Sequence, residues 1–374
     1  MLIKINKHPY EKDMRRITLF AYKILCFAAH GNSYDENKFL KRFGKETGQW
    51  FLKLSRKNKN GHYSEGSVIS GMEGLFVHNI KERKQMKKAF KNDVRYPLHI
   101  NDTHYQFMTP CLPDSVRTTM EKFLVPFYEV ILERTKGYEL QWLEIKNFSK
   151  VHVKRGFDAV NEETIRICPI CLGHIQKDKK KNYVYYKIDH YFPKNKYPIF
   201  SVFADNLVPV CETCNGPNCK HEKDPLEKQH GPGCLLKIYI PYYREVLGDI
   251  RLEFTNDEVH ILPVDKSDKY AEVRIKNLDR IYNLESRWSA ELDGSFISIS
   301  ERIGKEVAGE KDILADDRKF SDEIKRIALD FGHNEGKAFL ITQYLKWLSK
   351  NKNATKAARL SSINSISELK QALK

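Results

Sequence analysis

Six of the eight cysteines fall within 67 residues, and four of them form two Cys-x-x-Cys knuckles, Cys168-Pro-Ile-Cys171 and Cys211-Glu-Thr-Cys214. A knuckle of that spacing turns tightly enough to set both thiolates on one ion, so the pair supplies the four soft ligands of a tetrahedral structural Zn²⁺. Cys26 and Cys111 stand apart from the group, and that clustering belongs to metal chemistry rather than to a disulfide framework. His174 and Cys219 lie close enough in sequence to substitute as ligands but read as bystanders, and Cys234 reads as a core thiol.

The 39 residues between the knuckles exceed the spacer of a plain zinc ribbon, and they carry a second set of chemically capable groups. Tyr183-Val-Tyr-Tyr-Lys-Ile-Asp189-His190 is β-branched and aromatic and reads as a strand; Asn206-Leu-Val-Pro-Val-Cys211 reads as a second strand, with a short helix beginning at Cys214-Asn215. A carboxylate and an amide oxygen suit a hard divalent cation such as Mg²⁺ or Mn²⁺. An imidazole that titrates near neutrality can take a proton from water, which a permanently charged Lys or Arg cannot. Adjacent strand residues point to opposite faces, so Asp189 and His190 converge on one group only where the strand ends, and Pro193 favours an early end.

The order Cys-x-x-Cys, then Asp189-His190-Tyr-Phe-Pro193, then Asn206-Leu207, then Cys-x-x-Cys-Asn215 resembles the HNH endonuclease superfamily and its ββα-metal motif. The resemblance implies that Asp189 ligates a catalytic Mg²⁺ or Mn²⁺ and that His190 is the general base. It further implies that Asn206 braces the loop bearing the histidine and that Asn215 is a second ligand or orienter of the metal, beside one structural zinc. The family continues Cys-Asn with two residues and a Lys, whereas Gly-Pro-Asn-Cys-Lys220-His221 follows here, so Asn218 and His221 stand as alternatives to Asn215. Asp224-Pro-Leu through Ala271, Ile275, Leu278, Leu284 and Arg287-Trp288 is similar to the tail of bacterial anti-phage HNH nucleases of the Septu and retron-associated kinds. The implied activity is metal-dependent hydrolysis of DNA phosphodiesters in a defence or mobile-element setting. Since free cutting of host DNA would be lethal, restraint by a regulatory protein partner, a modification or a signal is expected, and an oligomer is a further candidate partner. A zinc-stabilised nucleic-acid-binding subunit that does not cut, and an RNase or tRNase effector, are the alternatives.

Such a centre needs a frame, and 374 residues at 41% hydrophobic content supply one, while a mean hydropathy of -0.57 excludes a polytopic membrane protein and wholesale disorder. The expected class is α+β: a basic, mainly helical region over 1–160, the zinc-stabilised module over 161–235, and a β-hairpin followed by helices over 236–374. Helical periodicity marks Ile17–His30, Glu36–Lys53, Ile80–Phe90 and Ser115–Arg134 with a kink at Pro126, then Tyr270–Leu292, Asp322–Phe331, Glu335–Leu348 and Ala354–Lys374. Asp249–Phe254 and Val259–Val264 read as the hairpin.

Charge is lopsided. Residues 1–160 hold 29 Lys and Arg against 17 Asp and Glu, whereas the rest of the chain is nearly balanced. That is the footprint of a polyanion binder, with double-stranded DNA the first expectation. The expected phosphate contacts are Lys81, Arg83, Lys84, Lys87, Lys88 and Lys91, with Tyr96 and His99 beyond them, and the exposed loop Ser55–Gly66. Glu144-Ile-Lys146 matches the tail of another nuclease signature and reads as chance. The apolar run Ile17–Ala29 is interrupted by Lys23 and too short to span a bilayer; Leu19, Tyr22, Ile24, Cys26 and Phe27 are expected on the buried side of a helix, in a cytoplasmic protein with no membrane partner.

Overall fold

The computed structural model describes residues 5–55, 63–133, 143–145, 148–161, 166–175, 177–178, 183–184, 186–255, 258–307, 310–330 and 337–372. Among them the chain is mainly helical with three two-stranded antiparallel sheets, in keeping with the α+β class. It divides into two compact units, Ile3–Ile165 with Tyr186–Glu245, and Arg166–Tyr185 with Val246–Lys374.

The first unit opens on α1 (Glu11–His30), which buries Met14, Ile17, Thr18, Ala21, Ile24, Leu25 and Ala28. Leu19 is 49% exposed, because the inward stripe follows positions 14, 17, 21, 24 and 28, and residue 19 falls on the opposite side of a 3.6-residue turn. Its expected burial is thereby corrected. The helix expected over Glu36–Lys53 is two, α2 (Glu36–Phe43) and α3 (Lys45–Leu52), parted by Gly44 at φ 81° and ψ 153°, a conformation that costs a side-chain-bearing residue about 1–3 kcal/mol. Next come α4 (Val68–Gly74) and α5 (Ile80–Asp93), the latter begun by a capping box of Asn79 and Glu82.

Helix α6 (Asp114–Tyr128) contains Pro126 and passes into a π-helical turn over Glu129–Glu133. Proline has no N–H to give the carbonyl four residues back, here that of Lys122. Gly71 of α4 packs against that same carbonyl: a Cβ there would sit 2.2 Å from the Lys122 oxygen. The close approach of α4 to α6 therefore requires glycine, and it sets the end of α6 that reaches the candidate site. Helix α7 (Lys150–Val160) follows.

Two short strands come next in the chain, β1 (Lys177–Asp178) and β2 (Tyr183–Val184), antiparallel to each other. In the first unit β3 (Lys187–His190) pairs antiparallel with β4 (Leu207–Val210), Asp189 opposite Val208 and His190 opposite Leu207. A single helical turn, α8 (Glu212–Asn215), follows. The loop from β3 to β4 is filled by Phe192, Tyr197, Phe200 and Phe203, which pack with Tyr96 and Phe107 in edge-on and tilted ring pairs. Thr18 of α1 donates to the Val202 carbonyl at 2.8 Å, tying that loop to α1.

The second unit holds β5 (Ile250–Thr255) and β6 (Glu258–Pro263), whose alternating burial matches a sheet with one face packed. Helix α9 (Ala271–Tyr282) ends at Asn283, in the left-handed region at φ 52°, and α10 (Leu284–Val307) begins at once, so the single helix expected there is split. Glu285 and Ser289 of α10 accept from the backbone N–H groups of Ile261 and Val259 on β6. Helices α11 (Lys311–Ala315), α12 (Asp317–Asp330), α13 (Ala338–Leu348) and α14 (Lys352–Ala372) complete the unit. Among the described residues no helix is long and apolar enough to cross a membrane.

Candidate functional site: a four-thiol cluster and an Asp-His centre

The first knuckle is a tight turn in which the Cys168 N–H donates to the Gly173 carbonyl and the Leu172 N–H to that of Cys168, both at 2.9 Å. Leu172 takes φ 61° to close it. The turn is held from outside by the buried indole of Trp288, which donates to the Cys171 carbonyl at 3.2 Å, and by the Lys337 N–H on the Leu172 carbonyl at 2.7 Å. At the second knuckle Cys211 caps α8, its sulfur accepting from the Cys214 N–H at 3.4 Å. The ligand atoms of Cys168, Cys171, Cys211 and Cys214 lie within 4.8 Å of one another. Four thiolates about 2.3 Å from a tetrahedral zinc stand roughly 3.8 Å apart, so the group could hold such an ion. His174 and Cys219 are not part of it; His174 forms a β-bridge with Ile167. Cys234 is buried and its thiol is pushed up to about 11 by that burial, as suits a core residue.

Asp189 and His190 end β3, and both are half-buried rather than alternating in and out. Their nearest partners differ. The His190 ring meets the edge of Tyr128, at the end of α6, with centroids 4.6 Å apart. Its Nε2 lies 2.9 Å from the Ser201 carbonyl oxygen. A carbonyl only accepts, so Nε2 carries the proton and Nδ1 keeps its lone pair; no described residue hydrogen-bonds to Nδ1. Ser201 is itself fixed, its one hydroxyl proton shared between the Leu124 carbonyl of α6 at 2.9 Å and that of Pro198 at 2.7 Å. Burial holds the His190 imidazole down to about 3; Lys194, Lys150 and Lys220 add to the depression, and the Ser201 carbonyl opposes it. His190 is therefore neutral throughout the physiological range, and the expectation of an imidazole that titrates near neutrality is corrected: burial makes it a much weaker base.

Burial pushes Asp189 the other way, up to about 6, and the charge that most opposes this is Lys220, followed among charged groups by His221 and Lys150. Lys220 is fully buried, at 0% exposure, with its ammonium on the His221 carbonyl at 3.3 Å, and burial depresses its own pKa. Its place is set by the knuckle: the Lys220 N–H donates to the Cys214 carbonyl at 3.1 Å. His221 sits at φ 35°, in the left-handed region. The two groups thus differ in their nearest contacts, yet both feel Lys150 and Lys220.

Asn206 is fully buried and braces the loop that follows His190, its Oδ1 accepting from the Phe192 N–H at 2.6 Å and its Nδ2 donating to the Phe192 and Phe200 carbonyls. Asn215 is the last residue of α8, which starts at Glu212 and not later; Asn218 and His221 lie in the turns beyond. No hydrogen bond joins Asp189 to Asn215, Asn218 or His221. The donor set is nonetheless one a hard dication accepts, a carboxylate with an amide whose side chain bonds to no described residue. A dication there works against the charge of Lys220.

Tyr128, Ser201, Lys150 and the buried state of Lys220 were not legible as site features, because they come from separate segments and carry no spacing signal. Lys194 is also engaged, paired with Glu129 at 2.8 Å and lying over the Tyr128 ring. Three tyrosines clamp the β3–β4 hairpin: Tyr191 donates to the Tyr239 carbonyl, Tyr242 to that of Leu207 and Tyr243 to the Asp205 carboxylate.

Of the expected phosphate contacts on α5, Arg83 is buried and donates to the Ala28 and Gly31 carbonyls at 2.7 and 2.6 Å, a structural role. Tyr96 is fully buried with its hydroxyl on the Asp205 carbonyl, and His99 stacks on Tyr105 beside Asp102. Lys81, Lys84, Lys88 and Lys91 are exposed and Lys87 is half-buried. Most of the Ser55–Gly66 loop, and Lys146, lie outside the described residues; Glu144 is paired on the surface with Lys12 and Arg16. Comparison with protein families, curated proteins and solved structures returns no match to this chain.

Proposed function

We propose that the chain is a metal-dependent endonuclease that hydrolyses the phosphodiester bonds of DNA, in a bacterial defence or mobile-element setting. The observation that carries this reading is the presentation of His190: a neutral imidazole with Nε2 committed to the Ser201 carbonyl and Nδ1 bare, beside Asp189, in surroundings whose strongest charges are Lys150, Lys194 and Lys220. A bare nitrogen accepts a proton, and clustered cations draw an anionic ester; a purely structural histidine needs neither.

In this reading His190 Nδ1 takes the proton of the attacking water as the water oxygen bonds to phosphorus and the P–O bond to the leaving oxygen breaks, that oxygen being protonated from solvent. The Ser201 carbonyl and Tyr128 ring fix the imidazole, and the negative charge of a bound phosphodiester raises its depressed basicity. Lys220 and Lys150 offset charge on the phosphoryl oxygens. Asp189 and Asn215, with Asn218 or His221 in place of the latter, would hold a divalent ion. That ion, Mg²⁺ or Mn²⁺, supplies charge stabilisation to the developing phosphorane-like state when bound. Asn206 and the aromatic packing of the loop keep Ser201 in register. A zinc on the four thiolates has no open coordination position and acts by holding the second knuckle, and with it Lys220, in place.

The test is incubation of the purified chain with plasmid, single-stranded DNA and RNA, with and without Mg²⁺ or Mn²⁺. Metal-dependent cutting of DNA supports the proposal. Cutting of RNA alone reassigns the substrate to the RNase alternative, and binding without cutting of any substrate leaves a zinc-stabilised binding subunit.

A further inference from the structure

Helix α1 presents Lys12, Arg15, Arg16, Leu19 and Lys23 along one outward stripe. At its first turns these charges are answered. Lys12 pairs with Glu144 at 2.6 Å and Arg15 with Glu11 at 2.8 Å, while Arg16 shares Asp13 and Glu144 at 3.5 and 3.6 Å. Further along the balance fails. A pocket of about 490 Å³ is lined by Arg16, Leu19, Phe20 and Lys23 of α1, Arg42 and Phe43 from the end of α2, and Thr47 of α3. Three cations line it and no carboxylate does. Lys23 and Arg42 are exposed and make no ion pair or side-chain hydrogen bond with any described residue.

A neighbouring groove makes the contrast. It shares Leu19 and is lined by Arg15, Lys91 and Arg95, but Glu11 and Asp205 line it too, and it is walled mainly by apolar side chains. Arg16 is answered by Asp13 and Glu144, but the convergence of Lys23 and Arg42 beside it, neither with a carboxylate partner among the described residues, is unfavourable. It is relieved by a ligand that brings negative charge, and the Leu19, Phe20 and Phe43 surfaces add an apolar wall against which a planar ring can lie. The ligand chemistry that meets both conditions is a nucleoside phosphate.

We propose that this pocket between α1, α2 and α3 binds a nucleoside phosphate unit, either within a nucleic-acid strand or as a free nucleotide, with Lys23 and Arg42 as the principal anion contacts. Only the strand source rests on the endonuclease reading. The expected docking segment on α5 is then secondary: of its lysines, Lys91 lines the acid-containing groove.

The test is fluorescence anisotropy of the full chain, without added divalent metal, against two probes, a fluorescein-labelled single-stranded 20-mer and a fluorescein-labelled AMP, at 50 and 200 mM salt. The variants are Lys23→Gln with Arg42→Gln, and Lys84→Gln with Lys88→Gln as the charge-matched control. All four side chains are exposed, and unchanged thermal transitions establish that the fold is kept. The pocket pair is expected to weaken binding at least tenfold at 50 mM salt and to lower the salt slope of log K by between one and two, as for two lost phosphate contacts, while the control pair changes affinity less than threefold. Loss confined to the oligonucleotide supports the strand source, and loss confined to the nucleotide supports the free ligand. Wild-type affinity for both probes in the pocket pair, or an equal loss in the control pair, overturns the proposal. Because nothing is cleaved in this measurement, its outcome is separate from that of the nuclease assay.

Discussion

The four-thiol cluster and the Asp189–His190 centre lie on the same stretch of chain and are built on opposite principles. The first gathers four identical groups, two from each tight turn, and a tetrahedral ion would use every one of them. The second gathers unlike groups and, among the described residues, leaves some of them unspent: His190 has one nitrogen committed and one bare, Asp189 is pushed up by burial, and Lys220 is buried with its ammonium on a backbone carbonyl. Saturation suits a structural part, whereas unspent capacity suits a reactive one. The two are linked through the short connection from Cys214 to Lys220, so that disturbing the first disturbs the second.

The largest effect that separates them is expected at the thiols. Cys168→Ser or Cys211→Ser should lose the metal and unfold the surrounding turns, since structural zinc contributes on the order of 10 kcal/mol in small sites at neutral pH. Elemental analysis and thermal melting check this; a wild-type protein without stoichiometric zinc contradicts it.

Replacing His190 by Ala should act in the reverse manner, leaving zinc content and fold near wild type while lowering cleavage by roughly 10²- to 10⁴-fold, the span of general-base catalysis. A variant that cuts undiminished would hand the role to another group, His221 first.

The contrast also explains which half the sequence reveals. A Cys-x-x-Cys turn is local, so its spacing announces the chemistry, and the alternating pattern of the β5–β6 hairpin is local in the same way. The order Asp189-His190, Asn206, Asn215 was legible through its resemblance, and Asn206 does brace the loop after His190. Tyr128, Ser201 and Lys220 were not legible, because their importance arises from packing between α6, the β3–β4 loop and the turn after α8. The inward stripe of α1 misplaced Leu19 for a related reason, the run around it being apolar on more than one side. The helix breaks at Gly44 and Asn283 depend on left-handed backbone at single residues, which periodicity passes over.

A more modest effect is expected where the fold positions the reactive half. Gly71→Ala drives a methyl into the Lys122 carbonyl and should cost about 1–3 kcal/mol, read as a lower thermal midpoint. It should also lower cleavage more than it changes zinc content, since α6 carries Tyr128 and the Leu124 carbonyl that anchors Ser201.

The smallest effects concern protons. With His190 held down to about 3 and Asp189 up to about 6, the acid limb of cleavage should fall near pH 6 and report Asp189, whose ionised form is the one that binds a cation; activity then rises as pH increases through 6. Lys220→Met should move that limb to higher pH, since it removes the charge that most favours the Asp189 carboxylate. A limb unmoved in that variant would show that Asp189 does not govern the profile.

The most direct measurement is the plasmid cleavage rate of wild type and His190→Ala at equal protein and zinc content, with and without Mg²⁺ or Mn²⁺. The account predicts metal-dependent cutting by wild type and a loss of at least a hundredfold in the variant, with zinc and thermal midpoint unchanged. Equal rates for the two proteins, or no cutting by wild type of plasmid, single-stranded DNA or RNA with either metal, would contradict it.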